Sequence, residues 1–364
     1  MSLNPLNDCL NFGHLRKAYD QASPQCQNPP MNAFFLRLAP AVLICGLLAT
    51  TLPHTALAQS KTMLRISTPA VPQDWHAKMW TVFKESLDAS APGEFDVQIY
   101  PSSSLFKQAA EPAAMARGNL ELSTVSAADL SRQVTYFSVF TAGYVLRDVP
   151  HQQKVFNGPI GEEGFKQVSE RMGIKVLATA YLGTRQLVLR EPRNVKTPAD
   201  LKGIKLRMPA SKEWLFLGES LGATATPLSF GEVYMGLKTG TIDAQDNPLP
   251  TVRAARFYEV SKQVVLTGHL VDALFIAISQ KTWDGLKPAQ QAKVQQAAQA
   301  AARFNNDNRL QEEKQILDFL KQQGLSISTP DVSAFRQQVT NAYKASDIAK
   351  SWPPGLLDKI QAVR

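Results

Sequence analysis

Cysteine is close to absent from this chain. Its three cysteines in 364 residues, Cys9, Cys26 and Cys45, all precede residue 59. The rest of the chain therefore has no disulfide framework, no thiolate nucleophile and no sulfur ligand for a metal. Histidine is scarce as well, and beyond residue 58 only His76, His151 and His269 remain, far apart in sequence. No His/Cys/Asp/Glu group has metal-ligand spacing, and there is neither a G-x-S-x-G elbow nor a P-loop. The glycine-rich segment 158–164 carries Pro159, which spoils it as a dinucleotide fingerprint. Runs of Lys and Arg are missing too. A net charge of +8 without a basic arm excludes a nucleic-acid tail and leaves a mild preference for anions. No cofactor and no catalytic constellation is expected.

Long apolar runs are limited to one, Leu38 to Leu52, which follows the single charge of Arg37 and precedes Ala56-Leu57-Ala58. That is the pattern of a cleavable export signal, 31–58, with cleavage between Ala58 and Gln59, and it is too short for a spanning helix. Residues 1–30 are polar and aperiodic, so they read as a disordered extension upstream of a true start at Met31. The exported chain, 59–364, is expected in the periplasm. It is large enough to rely on its core in place of disulfides.

Residues 63–126 alternate strand, helix, strand, helix, strand, which is the α/β signature. The strands are Met63–Thr68, Phe95–Tyr100 and Leu120–Val125, and the helices Trp75–Leu87 and Ala109–Arg117. Further strands are expected at Ile174–Ala180, from Gly183 to Leu189, at 204–208 and at Ala273–Ile278. A helical stretch of about 35 residues, Pro288 to Gln323, would extend roughly 50 Å, longer than one lobe is wide. It should lie across two lobes. The expected division is 59–182 plus about 271–310 for the first lobe and 183–270 plus about 311–364 for the second.

Within Leu201–Pro209, Ile204, Leu206 and Met208 alternate with Lys205, Arg207 and Pro209, the period of a strand with one buried face. Pro209 ends the ladder. Two readings of Arg207 stand at this point: a side chain facing water, or a donor fork held rigidly for a carboxylate.

Six segments together carry a resemblance. They are Tyr100-Pro-Ser-Ser-Ser-Leu105, Gly183-Thr-Arg-Gln186, Leu201–Pro209, Pro227–Tyr234, Gly240–Pro248 and Phe257-Tyr-Glu-Val260. In this order they resemble the substrate-binding proteins of tripartite ATP-independent periplasmic (TRAP) transporters, of the C4-dicarboxylate-receptor type, related to the sialic-acid-binding members. The resemblance implies an α/β fold of the two-lobed periplasmic-binding-protein type, each lobe a mixed sheet flanked by helices, with a long helix spanning both. It also implies a small organic acid held between the lobes and handed to the small and large subunits of a membrane permease. Carried over by position, Arg207 is the bidentate carboxylate clamp, Arg185 a second arginine near it, Asn247 an amide that hydrogen-bonds the carboxylate, and Phe230 an aromatic against the ligand body. Where sialic-acid binders carry acids, this chain has Lys107, Gln108 and Ser126, which argues against sialic acid. Lys107, His76, Glu111 and His269 are further candidates for selectivity. A monomeric receptor without catalytic activity is the expectation. The alternatives are a receptor feeding a sensor kinase and a periplasmic enzyme acting on a carboxylic acid.

Overall fold

The structure, a computed structural model, describes residues 61–364. The upstream extension, the export signal and its cleavage point fall outside the described residues. Nine strands form one mixed sheet: β1 (Thr62–Ser67), β2 (Phe95–Tyr100), β3 (Leu122–Ser126), β4 (Ile174–Leu189), β5 (Lys205–Met208), β6 (Thr224–Pro227), β7 (Ala244–Pro248), β8 (Gln263–Ser279) and β9 (Ser326–Ser328). Their order is β2-β1-β3-β8-β4-β7-β5-β6, and β9 also pairs with β8. The outer strands are parallel: β1 with β2 and β3, and β5 with β6 and β7. Antiparallel β4 and β8 run through the middle and belong to both halves.

Each half of the sheet is covered on both faces, and the strands explain why. Along β8, Phe275 and Ala277 enter one core while Ile276 and Ile278 enter another. Along β4, Leu187 and Leu189 point to a third core and Val188 to a fourth. Successive side chains of a strand face opposite ways, so a strand buried on both faces reads as a continuous apolar run. The first half packs the helix Trp75–Ser90 and the helix Pro288–Glu313 on one face, through Trp80 and Phe83 against Ala297, Ala298 and Ala301. Small residues there let the two helices approach closely, which is why the middle of the long helix carries few large apolar groups.

Three expectations need revision. The two short strands on either side of Leu182 are one strand, β4. Gly183 sits inside it at a register shift, with φ +128, where a Cβ would meet Pro248 Cβ at 2.4 Å. The glycine is needed for that close approach and does not end the strand. The expected 35-residue helix stops at Glu313, and a second helix, Ile316–Gln322, follows. The turn between them sends Ile316 and Leu320 into the fourth core. At 26 residues the long helix spans about 39 Å, and its far end reaches the second half through Arg253 and Glu312 (3.2 Å). Finally, the last helix, Leu356–Ala362, expected with the second lobe, places Leu356 and Ile360 in a first-half core beside Phe140 and Phe156. No helix of the described residues is long and apolar enough to cross a membrane.

Candidate functional site

A cavity opens between the halves, at the carboxyl ends of the parallel strands, where open α/β sheets place their ligands. The first half supplies Thr68 to Ala70 after β1, Asp74 and His76, Gln108 and Glu111, and Ser126, Asp129 and Arg132 after β3. The second supplies Leu182 and Arg185 of β4, Pro209 to Ser211 after β5, Trp214, Ser229, Phe230, Asn247 and Thr251. Leu274 of β8 completes the wall.

Arg207 is 1 % exposed, which removes the reading of an arginine facing water. Its neighbours Leu206 and Met208 bury into the third core, and period-2 alternation turns the guanidinium the other way. Nε donates to the Leu228 carbonyl (2.8 Å) and Nη2 to Gln108 Oε1 (3.2 Å). Neither acceptor is charged, and no carboxylate of the described residues forms an ion pair with Arg207. Burial therefore pulls its guanidinium down to about 9; Asp246 opposes this and Arg185 adds to it. It remains protonated at neutral pH, a buried cation with no anion bonded to it. Gln108 Oε1 also accepts from the Phe230 backbone N–H (2.8 Å), so this first-half amide, which lines the cavity, bridges to the second half, while Arg207 itself does not line the cavity.

Arg185 is held quite differently. Nε donates to Asp272 Oδ2 (2.7 Å), and Nη1 to Asp246 Oδ2 (3.3 Å) and the Asp246 carbonyl (3.1 Å). Its guanidinium carbon lies 4.3 Å from the centre of the Trp214 ring. Burial opposes the charge, yet the two carboxylates outweigh it and raise Arg185 above its ordinary value. His269, itself fully buried, braces this pair: Nε2 lies 3.2 Å from Asp246 Oδ2 and Nδ1 2.8 Å from Thr267 Oγ1. The expectation of two guanidinium groups sharing the ligand charge thus changes. Arg185 is paired directly with two carboxylates and keeps a wall position, while Arg207 has no direct ion pair and feels Asp246 only through space. His269 stands behind that wall and does not line it.

The remaining candidates divide in the same way. Asn247, on β7, lines the cavity with its Oδ1 3.5 Å from Arg185 Nη1, and its Nδ2 donates to Gln245. Phe230 lines it too, edge-on to Phe257 at 5.6 Å. Ser126 lies on the wall but uses its hydroxyl to cap the helix Ala127–Ser131, accepting from the Asp129 backbone N–H (3.2 Å) while donating to Asp129 Oδ2 (2.7 Å). Lys107 is exposed and does not line the cavity. His76 and Glu111 both do. Glu111 is 3 % exposed, with Oε1 lacking any partner among the described residues. Burial pushes its carboxyl up to about 8, nearby Asp129 adds to this, and backbone N–H groups of the helix start oppose it.

That shift has a sign. The unfolded chain releases the Glu111 proton near 4.5, whereas the folded protein holds it to about 8. Between those values the native state binds the extra proton, so stability falls as pH rises. Glu111→Gln should flatten the decline in Tm between about pH 5 and pH 8. Scanning calorimetry that finds the wild-type slope intact in the variant would remove Glu111 as its source.

Trp214, Gln108, Asp272, Asp74, Thr251 and Arg309 were not singled out as site residues by the sequence. Only Gln108 left a trace, as a position where an acid is missing. Among the described residues no cluster of His, Cys, Asp and Glu is placed to hold a metal ion.

Comparison with known proteins adds a family to this geometry. The model of the bacterial extracellular solute-binding proteins, family 7 (DctP), matches residues 67–350. The sialic acid-binding periplasmic protein SiaP of Vibrio cholerae is 28% identical over 297 residues, covering 82% of this chain and 92% of SiaP. The 2,3-diketo-L-gulonate-binding periplasmic protein YiaO of Escherichia coli is 31% identical over 282 residues, covering 77% and 85%. Among solved structures, a TRAP periplasmic solute-binding protein from Roseobacter denitrificans with bound 3-deoxy-D-manno-oct-2-ulosonic acid superposes with a TM-score of 0.80. It is 45% identical, and the match covers 84% of this chain and all of that one.

Proposed function

Because the chain belongs to the DctP family of bacterial extracellular solute-binding proteins, we propose that it is a TRAP receptor whose solute is a sugar acid. Its carboxylate is neutralised by Arg207, and the loaded receptor delivers it to TRAP membrane subunits. The observation that carries this reading is the state of Arg207: a buried, protonated guanidinium beside the interlobe cavity, satisfied by a carbonyl and an amide but by no anion. A carboxylate arriving there gains a charge-assisted bidentate pair and relieves the uncompensated charge. Closure of the lobes around it excludes water, which strengthens the pair and turns binding into a shape change that a permease can read.

Arg185 and Asn247 contribute hydrogen-bond donors and shape to the wall, with no unpaired cation. Phe230 and Trp214 offer apolar faces for the carbon skeleton. Gln108 and Ser126 stand where sialic-acid binders carry acids, and relatives that take shorter sugar acids are the better guide. The ligand of the Roseobacter denitrificans structure, 3-deoxy-D-manno-oct-2-ulosonic acid, is the first probe to test.

Isothermal calorimetry with this acid, 2,3-diketo-L-gulonate, D-glucuronate, N-acetylneuraminate and succinate tests the proposal. Saturable one-to-one binding of a sugar acid, recovered chemically unchanged, is the expected result. Binding of none, or turnover of the one bound, would contradict it.

A further inference from the structure

We propose that His76 is a specificity-determining residue of the cleft, its ring fixed in one tautomer so that Nε2–H donates to an uncharged oxygen of the ligand, a hydroxyl or ring oxygen away from the carboxylate. This rests on the receptor reading above and adds to it a second recognition point in the opposite lobe.

The tautomer follows from a neighbour that can only donate. Arg309 Nε lies 3.0 Å from His76 Nδ1, and a guanidinium has no acceptor, so Nδ1 must present its lone pair. Asp74 Oδ1 is also near Nδ1, but at 3.4 Å it is the poorer partner, and a proton on Nδ1 would face the Arg309 N–H head-on. Burial, reinforced by the charge of Arg309, holds the imidazole down to about 4 against the pull of Asp74, so the ring is neutral at pH 7. A neutral ring with a bare Nδ1 carries its proton on Nε2. That atom is buried and has no partner among the described residues, and His76 itself is 1 % exposed and lines the cavity.

Arg309 is itself fixed from both sides of the cleft. Its Nη2 donates to Asp74 Oδ1 (2.5 Å) in the first half and to Thr251 Oγ1 (2.9 Å) in the second, and Thr251 Oγ1 donates to Asp74 Oδ2 (3.1 Å). The lock on the ring is therefore assembled where the long helix joins the two lobes. Asp74 matches the charge of Arg309, so this end of the cavity offers a neutral donor and no spare cation. It suits a hydroxyl and penalises a second carboxylate.

An orphaned buried donor costs about 1–3 kcal/mol, so a ligand oxygen that satisfies it gains roughly fivefold to 150-fold in affinity. Long-range 1H–15N correlation spectra of the histidine rings read the tautomer with no ligand present. Calorimetry then compares wild type, His76→Phe, His76→Gln and Arg207→Ala, using whichever sugar acid of the panel above binds wild type most tightly. The expected result is a protonated Nε2 and bare Nδ1, a loss of tenfold or more in His76→Phe, and partial recovery in His76→Gln, which keeps a donor. A proton on Nδ1, or His76→Phe binding within threefold of wild type, overturns the assignment. If Arg207→Ala still abolishes binding in that case, the receptor reading survives alone. If Arg207→Ala binds normally, or wild type binds no acid of that panel, both fall. Should His76→Phe fail to fold, the spectra decide the tautomer and with it the assignment.

Discussion

Arg207→Ala is expected to weaken binding of the sugar acid at least about thirtyfold, since truncating one partner of a buried charge pair costs about 2–5 kcal/mol, at roughly 1.4 kcal/mol per tenfold. Much of that loss comes from the ligand carboxylate, which would be desolvated with no cation to meet it. Arg207→Lys should also bind poorly, because a point charge cannot reproduce the fork that Nη1 and Nη2 present to two carboxylate oxygens. The ligand-free protein should respond in the opposite sense. With no ligand, Arg207 is a buried cation pulled down to about 9 by that burial, and removing it should leave the Tm unchanged or raise it despite the unpaired Leu228 carbonyl. A functional residue that costs stability when its ligand is absent is the usual trade at a binding site. Calorimetry of binding together with melting curves of the apo variant checks both halves. A loss of affinity below threefold would remove Arg207 from the site.

Arg185→Ala should behave as the converse, with its largest effect on stability. The side chain is the one guanidinium in direct contact with both Asp246 and Asp272, and His269 also touches Asp246. Without it, two carboxylates remain buried without a cation on the strands that flank β4, Asp246 keeping only its His269 contact, an arrangement that costs about 3–5 kcal/mol. The pH dependence provides a signature. In wild type, burial works to raise Asp246, but Arg185 and the His269 hydrogen bond outweigh it and hold the group below its usual range. Its stabilising contribution is therefore present above the unfolded carboxylate pKa and lost as pH falls through the lower folded value. The variant has no such pair to lose, and its stranded carboxylates can take up protons. The gap in unfolding free energy between wild type and variant should narrow as the solution is acidified. Urea melts from neutral to acidic pH that keep a constant gap would mean the two aspartates are satisfied by something other than Arg185.

The contrast between the two arginines marks where sequence reading succeeds and where it stops. The strand of Arg207 was legible because its signal is local, alternation over 204–208 and a proline that ends it, but that signal left open whether the side chain faces water, and its burial came only with the fold. Arg185 has an equally clear local signal, yet its neutralising partners lie 61 and 87 residues away. Whether an arginine carries free charge depends on such partners, and strand pairing across β4, β7 and β8 decides them. The same non-local pairing hid the first half of β8 and joined the two apparent strands at Gly183. Local chemistry also failed to announce the end of the long helix, since Lys314 and Gln315 are good helix formers; the turn is a tertiary effect that buries Ile316. His76 and Glu111 were visible as chemically interesting residues, but their protonation follows from burial and from Arg309 and Asp129, neighbours that only folding supplies. Helix starts such as those at Thr197 and Ser229 are easier to read locally, because a cap and its acid three residues on lie within one turn.

The central claim is that the anion of the solute completes Arg207. A crystal structure of the protein with the sugar acid that binds it most tightly tests this directly. The ligand carboxylate should lie within hydrogen-bonding distance of both terminal nitrogens of Arg207, with Arg185 still joined to Asp246 and Asp272. A carboxylate found on Arg132 or elsewhere in the cleft, with only hydroxyls or solvent against Arg207, would contradict the account.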